Sequence, residues 1–318
     1  MSGGRALALV FPGQGAQFVG MAADLLDGSQ RASELMALAD DVLSMPLTRI
    51  LREGPEDLLN DTTVTQPAIL AVSVALWREI AARFDEPLPV ACVAGHSLGE
   101  FTALTVAGAW SFEDALRLVQ RRGQAMAAAG EASPGGMGVI LGLSEDEVRA
   151  IVEEVYAKDP GVWMANLNCP GQTVISGLVG PLGDALELAQ ARGAKRAVPL
   201  AVSVAAHTPL MQDAGKALAE ALDLVDLRSP RWPVICNAWA QPVTAPEDIK
   251  RALLQQLTSP VQWTASVEQM AQAGVRTALE IGPKAVLGGL IRRIAPDMGR
   301  LAVTDLAEAR GLMLEALP

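Results

Sequence analysis

The chain has 318 residues, of which 50% are hydrophobic, 4% are aromatic and 19% are charged. This length allows one large domain or a domain carrying an insertion, and the composition suits closely packed α/β layers. The formal net charge of −11 argues against nucleic acid and anionic membranes as partners, because both repel an acidic surface.

Strands and helices alternate along the first part of the chain. A buried apolar run at 6–11 predicts a first strand, and a similar run at 90–94 predicts a second. Helical periodicity predicts helices at 30–43, 66–83, 98–107 and 111–129. Ser111 is the expected N-cap of the last of these helices. The alternation predicts a parallel sheet covered by helices.

A linker rich in glycine and small residues, at 132–136, opens a segment with a different pattern. The elements predicted after it follow the order βαββαβ, at 137–143, 144–157, 162–167, 172–176, 181–192 and 195–200. In the rest of the chain, helices are predicted at 209–222, 247–257, 264–273 and from 285, and strands are predicted at 234–236 and 277–281. The expected fold is α/β: an α/β-hydrolase-like catalytic subdomain with a parallel sheet (1–132 and 204–318), plus an inserted ferredoxin-like subdomain (133–203).

The cysteines indicate the compartment. Cys92, Cys169 and Cys236 are widely spaced and form no CxxC motif, which predicts buried free thiols in a reducing compartment. The N-terminal segment lacks the pattern of a secretory signal, and no apolar run approaches the roughly 18 residues of a membrane span. We therefore expect a soluble cytoplasmic protein.

The motif Gly95-His96-Ser97-Leu98-Gly99 stands between the second strand and a helix. A strand, a sharp turn with serine and a helix is the context of a nucleophile elbow, and glycines permit its tight backbone path. The amide of Leu98, at the start of the helix, can donate to a developing oxyanion. The alternative is a glycine-rich turn with a solvated serine.

A serine nucleophile needs a base, and the chain has two histidines, His96 and His207. His96 is adjacent to Ser97, so its side chain diverges on the sharp turn and is expected to support the elbow. His207 follows the inserted segment at a domain junction, where clefts form, and is the predicted base. The alternative for His207 is a helix-entry histidine before Pro209. No acid stands at an obvious strand end, so either a carboxylate or a backbone carbonyl could orient His207.

Several motifs occur in an order that resembles a known family. They are Phe11–Gln17, Gly95–Glu100, Gln120–Met126, Asn166–Gln172, Ser203–His207, Ser259–Trp263 and Glu280–Pro283. This set resembles the malonyl-CoA:acyl carrier protein transacylases of bacterial dissociated fatty acid synthesis, and it spans almost the whole chain.

The resemblance implies roles for individual residues. Ser97 matches the nucleophile that carries malonyl as an ester, His207 matches the base, and Arg122 matches the arginine that holds the malonyl carboxylate. A guanidinium suits that task because it grips a carboxylate in two places. Gln14 and Leu98 match the residues whose amides form the oxyanion hole, and Gln256 matches the residue whose carbonyl orients the histidine. The residues that match the acyl pocket are Met126, Asn168, Val204 and Ala206.

The implied reaction moves malonyl from malonyl-CoA to the phosphopantetheine thiol of an acyl carrier protein by ping-pong kinetics, with no bound cofactor and no metal. The expected protein is a monomer. The stretch Val204-Ala205-Ala206 is smaller than is usual in the family, so selectivity against methylmalonyl is expected to be weaker.

The expected carrier partner is acidic, and so is this chain, which means that docking needs a local basic patch. The candidate cations, whose alternative is ordinary surface charge, are Lys195, Arg196, Lys284, Arg292 and Arg293. Other readings of the chain are a stand-alone acyltransferase of a polyketide synthase or malonate decarboxylase system, a serine hydrolase, and a non-catalytic carrier-binding module.

Overall fold

The structure is a computed structural model that describes residues 6–84 and 88–313. Within these ranges the strands are β1 (Leu7–Phe11), β2 (Val90–Gly95), β3 (Gly135–Leu141), β4 (Val162–Cys169), β5 (Gln172–Leu178), β6 (Arg196–Pro199), β7 (Val234–Ile235), β8 (Pro242–Val243), β9 (Thr277–Ile281) and β10 (Gly299–Val303).

The helices in the same ranges are α1 (Ala23–Gly28), α2 (Gln30–Leu43), α3 (Leu47–Glu53), α4 (Glu56–Asn60), α5 (Thr62–Ala81), α6 (Leu98–Val106), α7 (Phe112–Ala132), α8 (Glu145–Lys158), α9 (Val179–Ala191), α10 (Gln212–Leu222), α11 (Pro246–Thr258), α12 (Trp263–Gln272), α13 (Leu287–Ile294) and α14 (Leu306–Gly311). A 3-10 turn at Pro209–Met211 leads into α10. No helix in the described part of the chain is long and apolar enough to cross a membrane.

The larger sheet has the strand order β10-β9-β1-β2-β7-β8, and every neighbouring pair is parallel except β7 with β8. Its central strand β1 is buried throughout because helices cover both faces of the sheet. Leu7, Leu9 and Phe11 belong to the core on one face, whereas Ala8 and Val10 belong to the core on the other. The parallel pairing of β1 with β2 and β9, with a core on each face of the sheet, confirms the predicted α/β class with a parallel sheet.

The register of the central strands places the motifs. Phe11 pairs with Gly95, so the chain leaves β1 and β2 at the same edge of the sheet. The backbone N–H of His96 also donates to the carbonyl of Phe11 at 3.0 Å. Ligands of open α/β sheets bind at the carboxyl ends of the strands. The Gln14 loop and the Ser97 turn therefore meet at the edge where a site is expected.

The smaller sheet is antiparallel and has the order β4-β5-β3-β6, the arrangement expected of a ferredoxin-like βαββαβ unit. Its helices α8 and α9 pack against it around a separate hydrophobic cluster. Backbone hydrogen bonds join this unit to the larger one, because Leu167 N–H donates to Val261 at 2.9 Å and Val261 N–H donates to Ala165 at 2.8 Å. The division at 133–203 stays a prediction.

The sequence patterns miss six short elements: α1, α3, α4, β8, β10 and α14. Helices of five to seven residues are too short to show a period, and β10 (GRLAV) is an edge strand that is mostly exposed. Helix α5 begins at Thr62, four residues before the predicted start at 66, because Asp61 caps it by accepting from Thr63 N–H at 2.8 Å. All three cysteines are buried free thiols.

Candidate active site

The turn between β2 and α6 has the geometry of a nucleophile elbow. Ser97 has φ 51° and ψ −105°, an uncommon conformation for a residue with a side chain. A Cβ at Gly95 would lie 1.9 Å from the carbonyl carbon of Gly99, and a Cβ at Gly99 would lie 2.1 Å from the carbonyl oxygen of Phe11. Both positions therefore require glycine. The Ser97 N–H donates to Asn237 Oδ1 at 2.7 Å, which holds the turn in this conformation.

His207 is the partner of the serine. Its Nε2 lies 2.9 Å from Ser97 Oγ, and its Nδ1 lies 2.8 Å from the backbone oxygen of Gln256. Because a carbonyl only accepts, Nδ1 carries the proton and Nε2 is free to accept the serine proton. Burial, with the nearby charge of Arg122, lowers the pKa of His207 to about 3, so the imidazole is neutral at neutral pH.

Arg122 on α7 places a guanidinium beside Ser97. It is 2% exposed, and its Nη2 donates to Ser97 Oγ at 3.0 Å and to Gln256 Oε1 at 3.1 Å. Its Nη1 donates to Gln66 Oε1 at 2.8 Å, while Nε is buried with no partner in the described part of the chain. Burial lowers the pKa of Arg122 to about 10, so it remains cationic. These hydrogen bonds all go to neutral side chains, which leaves the cation ready to receive an anion.

A cleft of about 670 Å³ opens over the serine, and Ser97, Arg122 and His207 all line it. Gln14 and Leu98, whose amides are the predicted oxyanion hole, also line it. Leu98 is the first residue of α6, so its N–H has no carbonyl partner within the helix. These positions are compatible with the oxyanion role, which remains a prediction.

The predicted acyl-pocket residues separate into two groups. Met126, Val204 and Ala206 line the cleft. Asn168 is not among the lining residues; its Oδ1 lies 2.8 Å from Nε2 of His96, which does line the cleft. Asn168 therefore contacts a lining residue and holds the His96 ring in place, and the predicted role of His96 in supporting the elbow stays a prediction.

Two of the predicted docking cations lie close together although they are far apart in sequence. Gly142 packs against Lys195, since a Cβ added to this glycine would lie 2.7 Å from Cγ of the lysine. Gly171 packs against Arg293 in the same way, since an added Cβ would lie 3.1 Å from Nη2 of the arginine. Gly142 N–H donates to the Gly171 carbonyl at 2.9 Å, so the two cations flank one pair of turns. Arg196 and Arg292 are their chain neighbours, and Lys284 precedes α13; all are exposed. Their docking role stays a prediction.

The sequence patterns miss three polar residues of the site. Gln66 is fully buried and holds Arg122, Asn237 holds the Ser97 turn, and Glu100 accepts from Gln256 Nε2 at 2.7 Å. Asn237 follows β7 at the carboxyl edge of the sheet, which is a positional signal. Glu100 lies one helical turn after Ser97 and is the acid nearest to it in sequence.

The site combines a serine on a strained turn, a histidine oriented by a carbonyl, and a buried arginine beside that serine. This combination is typical of acyl-transferring proteins. The family model described as "Acyl transferase domain" matches residues 8–303. A relative from Haemophilus influenzae, named malonyl CoA-acyl carrier protein transacylase, is 42% identical over 305 residues, covering 95% of this chain and 96% of the relative. A Bacillus subtilis relative of the same name is 41% identical over 299 residues, covering 94% and 93%.

Solved structures agree with the sequence relatives. A malonyl-CoA:acyl carrier protein transacylase from Xanthomonas oryzae superposes with a TM-score of 0.92 at 41% identity, covering 96% of this chain and 97% of that one. A malonyl-transacylase solved in complex with a type II polyketide acyl-carrier protein gives a TM-score of 0.91 at 41% identity, covering 95% and 97%. The chain belongs to the acyl transferase domain family and, within it, to the malonyl CoA-acyl carrier protein transacylases. The resemblance found in the motifs is confirmed.

Proposed function

We propose that this protein transfers a malonyl group from malonyl-CoA to the phosphopantetheine thiol of an acyl carrier protein, and so supplies fatty acid elongation. The carrying observation is the 3.0 Å contact between Arg122 Nη2 and Ser97 Oγ. An acyl group on that oxygen is within reach of a buried cation, which suits an acyl chain that ends in a carboxylate. The names of the relatives support the same reaction.

The contacts of the free site support a two-step mechanism. Ser97 Oγ attacks the thioester carbonyl of malonyl-CoA while His207 Nε2 takes the serine proton. The amides of Gln14 and Leu98 receive the oxyanion, and the C–S bond breaks as the departing CoA thiolate takes the proton from Nε2. In the second step the carrier thiol gives its proton to Nε2 and attacks the malonyl ester, and Ser97 regains its hydroxyl. No step needs a metal ion or a bound cofactor.

Arg122 selects the acyl group in this scheme. When malonyl is bound, its carboxylate takes N–H donors that the free enzyme directs to Ser97 and Gln256. The unpartnered Nε–H adds a further donor at the same site. The guanidinium also lies 5.4 Å from the centre of the Phe101 ring, which limits its movement. The cation is therefore fixed before substrate arrives.

The experiment incubates the protein with a panel of acyl-CoA thioesters and measures its intact mass. We expect one malonyl adduct on the wild type, none on Ser97→Ala, and an unchanged adduct on Ser203→Ala, an exposed serine that precedes the cleft residue Val204. A malonyl adduct that persists in Ser97→Ala, or a wild type that takes acetyl but not malonyl, contradicts the proposal.

The type of carrier protein is a second question, because one solved relative is in complex with a type II polyketide carrier. Fatty acid and polyketide carriers offer the same thiol, so the comparison that distinguishes them is kcat/KM for transfer to each. We expect the fatty acid carrier to be preferred. A preference for the polyketide carrier would assign the chain to that system.

We also propose that the exposed cations dock an acidic carrier, and that the protein acts as a cytoplasmic monomer. Charge reversal at Arg292 and Arg293 is expected to raise KM for the carrier and to leave self-acylation by malonyl-CoA unchanged. Lys216→Glu, at an exposed cation on α10, is the control. Equal loss of both half-reactions contradicts the docking role. Light scattering of the purified chain tests the monomer.

A further inference from the structure

A buried carboxylate that the mechanism does not use contacts the residues that hold Ser97 and His207, which together form the dyad of the site. Glu100 on α6 is 1% exposed, and its Oε2 accepts from Gln256 Nε2 at 2.7 Å and from Asn237 N–H at 3.0 Å. We propose that Glu100 is a positioning residue for acyl transfer, which acts through Gln256 and Asn237 and supplies the fixed negative charge of the site. The inference rests on the proposed function.

The first arm of this arrangement passes through Gln256. Its Nε2 donates both to Glu100 and to the backbone oxygen of Ser97, the latter at 3.0 Å. With Nε2 held by two acceptors, Oε1 must face Arg122, and it accepts from that guanidinium. The backbone oxygen of the same residue accepts from His207. One glutamine thus touches nucleophile, base and carboxylate-binding cation, and Glu100 fixes its orientation.

The second arm passes through Asn237. Its backbone N–H donates to Glu100, and its side chain both accepts from Ser97 N–H and donates to the Gly95 carbonyl, each at 2.7 Å. These two side-chain bonds hold both ends of the strained turn that carries the nucleophile. Loss of the carboxylate would loosen the loop that holds the turn, as well as the glutamine that holds the base.

The charge of Glu100 has a separate effect. The Arg122 charge disfavours the imidazolium that His207 becomes when it takes the Ser97 proton, and the Glu100 anion, which faces Arg122, offsets part of that charge. The other groups that face Glu100 are Arg122 from α7 and Cys236 after β7. Burial raises the pKa of the Cys236 thiol to about 11, so it stays neutral. Among the described residues, Glu100 is therefore the anion that faces the Arg122 guanidinium.

The ionisation of Glu100 provides a readout that packing alone would not change. Burial raises the pKa of its carboxyl to about 7, against the lowering effects of its two hydrogen bonds and of the Arg122 charge. The anion is the active form, so the acylation rate should rise with pH through about 7. His207, with its pKa near 3, ionises far below that range, and Arg122, with its pKa near 10, ionises far above it.

The experiment compares Glu100→Gln with Glu280→Gln. Glu280 is 2% exposed and accepts three backbone N–H bonds at the start of α13, so it is a buried glutamate that contacts none of the site residues. Single-turnover acylation is measured by intact mass, with malonyl-CoA and with acetyl-CoA, from pH 5 to 9. Half-saturating concentration and limiting rate are determined for each variant.

We expect Glu100→Gln to lower the limiting rate about 10- to 100-fold for both acyl groups, since misplacement of the dyad affects both alike. The half-saturating concentration of malonyl-CoA should stay within about twofold of the wild type, and the rise in rate near pH 7 should disappear. Glu280→Gln should keep the wild-type acylation rates and their increase with pH near 7. If Glu100→Gln does not fold, Glu100→Asp keeps the charge and should show a lower rate with the rise retained.

Three results would overturn the inference. They are wild-type rates with an unchanged pH profile in Glu100→Gln, loss of malonyl acylation with acetyl acylation intact, and equal effects in Glu100→Gln and Glu280→Gln. A wild type that malonyl-CoA does not acylate contradicts the proposed function instead. Failure of the inference and failure of the function are therefore distinguishable.

Discussion

Replacing Arg122 with alanine removes the cation that is proposed to hold the malonyl carboxylate, and with it the hydrogen bond from Nη2 to Ser97 Oγ, but it leaves the contact between Ser97 and His207 in place. Ser97, His207 and the Gln256 carbonyl keep their mutual hydrogen bonds. Acetyl-CoA has no carboxylate, so its transfer does not depend on the guanidinium. The variant should therefore lose malonyl transfer selectively and spare or improve acetyl transfer.

The contacts give the size of this effect. A hydrogen bond to a charged group is worth about 1.5–3 kcal/mol, so a two-pronged grip on the carboxylate contributes roughly 3–6 kcal/mol. Binding also displaces the existing hydrogen bonds of Arg122 to Ser97 and Gln256, which favours the lower end of this range. A difference of about 3 kcal/mol corresponds to a change of about 100-fold in the ratio of malonyl to acetyl acylation.

The assay is single-turnover acylation followed by intact mass, with malonyl-CoA and acetyl-CoA competing in one mixture. A ratio is the right quantity because any loss of folded protein affects both substrates equally. The matched control is Arg121→Ala, which removes an exposed arginine from the adjacent position of the same helix and should leave the ratio unchanged. Arg122→Lys keeps the positive charge but loses the planar pair of N–H donors, so its ratio of malonyl to acetyl acylation should lie between those of the wild type and Arg122→Ala.

Equal losses of malonyl and acetyl acylation in Arg122→Ala would refute this reasoning. They would mean that the arginine serves mainly to hold Ser97 and Gln256 in place. An altered ratio in Arg121→Ala would refute it as well, because the effect would then not depend on the buried contact.

Three further predictions concern neighbouring side chains. Gln66→Leu removes the acceptor of Arg122 Nη1 and should lower the ratio of malonyl to acetyl acylation by about 10-fold in the competition assay, a loss of roughly 1–2 kcal/mol; an unchanged ratio would show that Arg122 needs no such support. Ala206→Phe fills part of the cleft and should reduce methylmalonyl acylation more than malonyl acylation in the same mass assay, whereas equal reductions would place this side chain away from the α-branch. The third prediction is a pH dependence of stability. Folding raises the pKa of Glu100 from 4.5 to about 7, so the wild type loses stability as pH rises through that window, whereas Glu100→Gln does not. In denaturant titrations, the free energy of unfolding of Glu100→Gln relative to the wild type should therefore increase by roughly 3 kcal/mol between pH 4 and 8. A difference that does not vary with pH would contradict it.

Local patterns were sufficient for the elbow but not for the groups around it. Gly95 and Gly99 mark the turn because the backbone itself occupies the space that a side chain would need. The carbonyl that orients His207 has no signature, since every residue has one, and only the family resemblance pointed to Gln256. In the same way, Arg122 was identified by resemblance and not by periodicity.

The side chains that hold the site were missed because their contacts join distant parts of the chain. Glu100 and Gln256 are 156 residues apart, and Ser97 and Asn237 are 140 residues apart. No spacing rule covers such distances, because the sheet order that closes them is itself a product of the fold. Glu100 does not contact His207 directly, because Gln256 stands between them and contacts both.

The buried cysteines have a consequence for an enzyme whose substrates are thioesters. A protein thiolate in contact with such substrates would attack the thioester carbonyl, capture the acyl group and release CoA. Burial raises the pKa of Cys92 to about 12 and that of Cys236 to about 11, and it also raises the pKa of Cys169. All three therefore stay protonated and shielded at neutral pH. These thiols therefore do not compete with Ser97, the proposed nucleophile, for the malonyl group of the substrate.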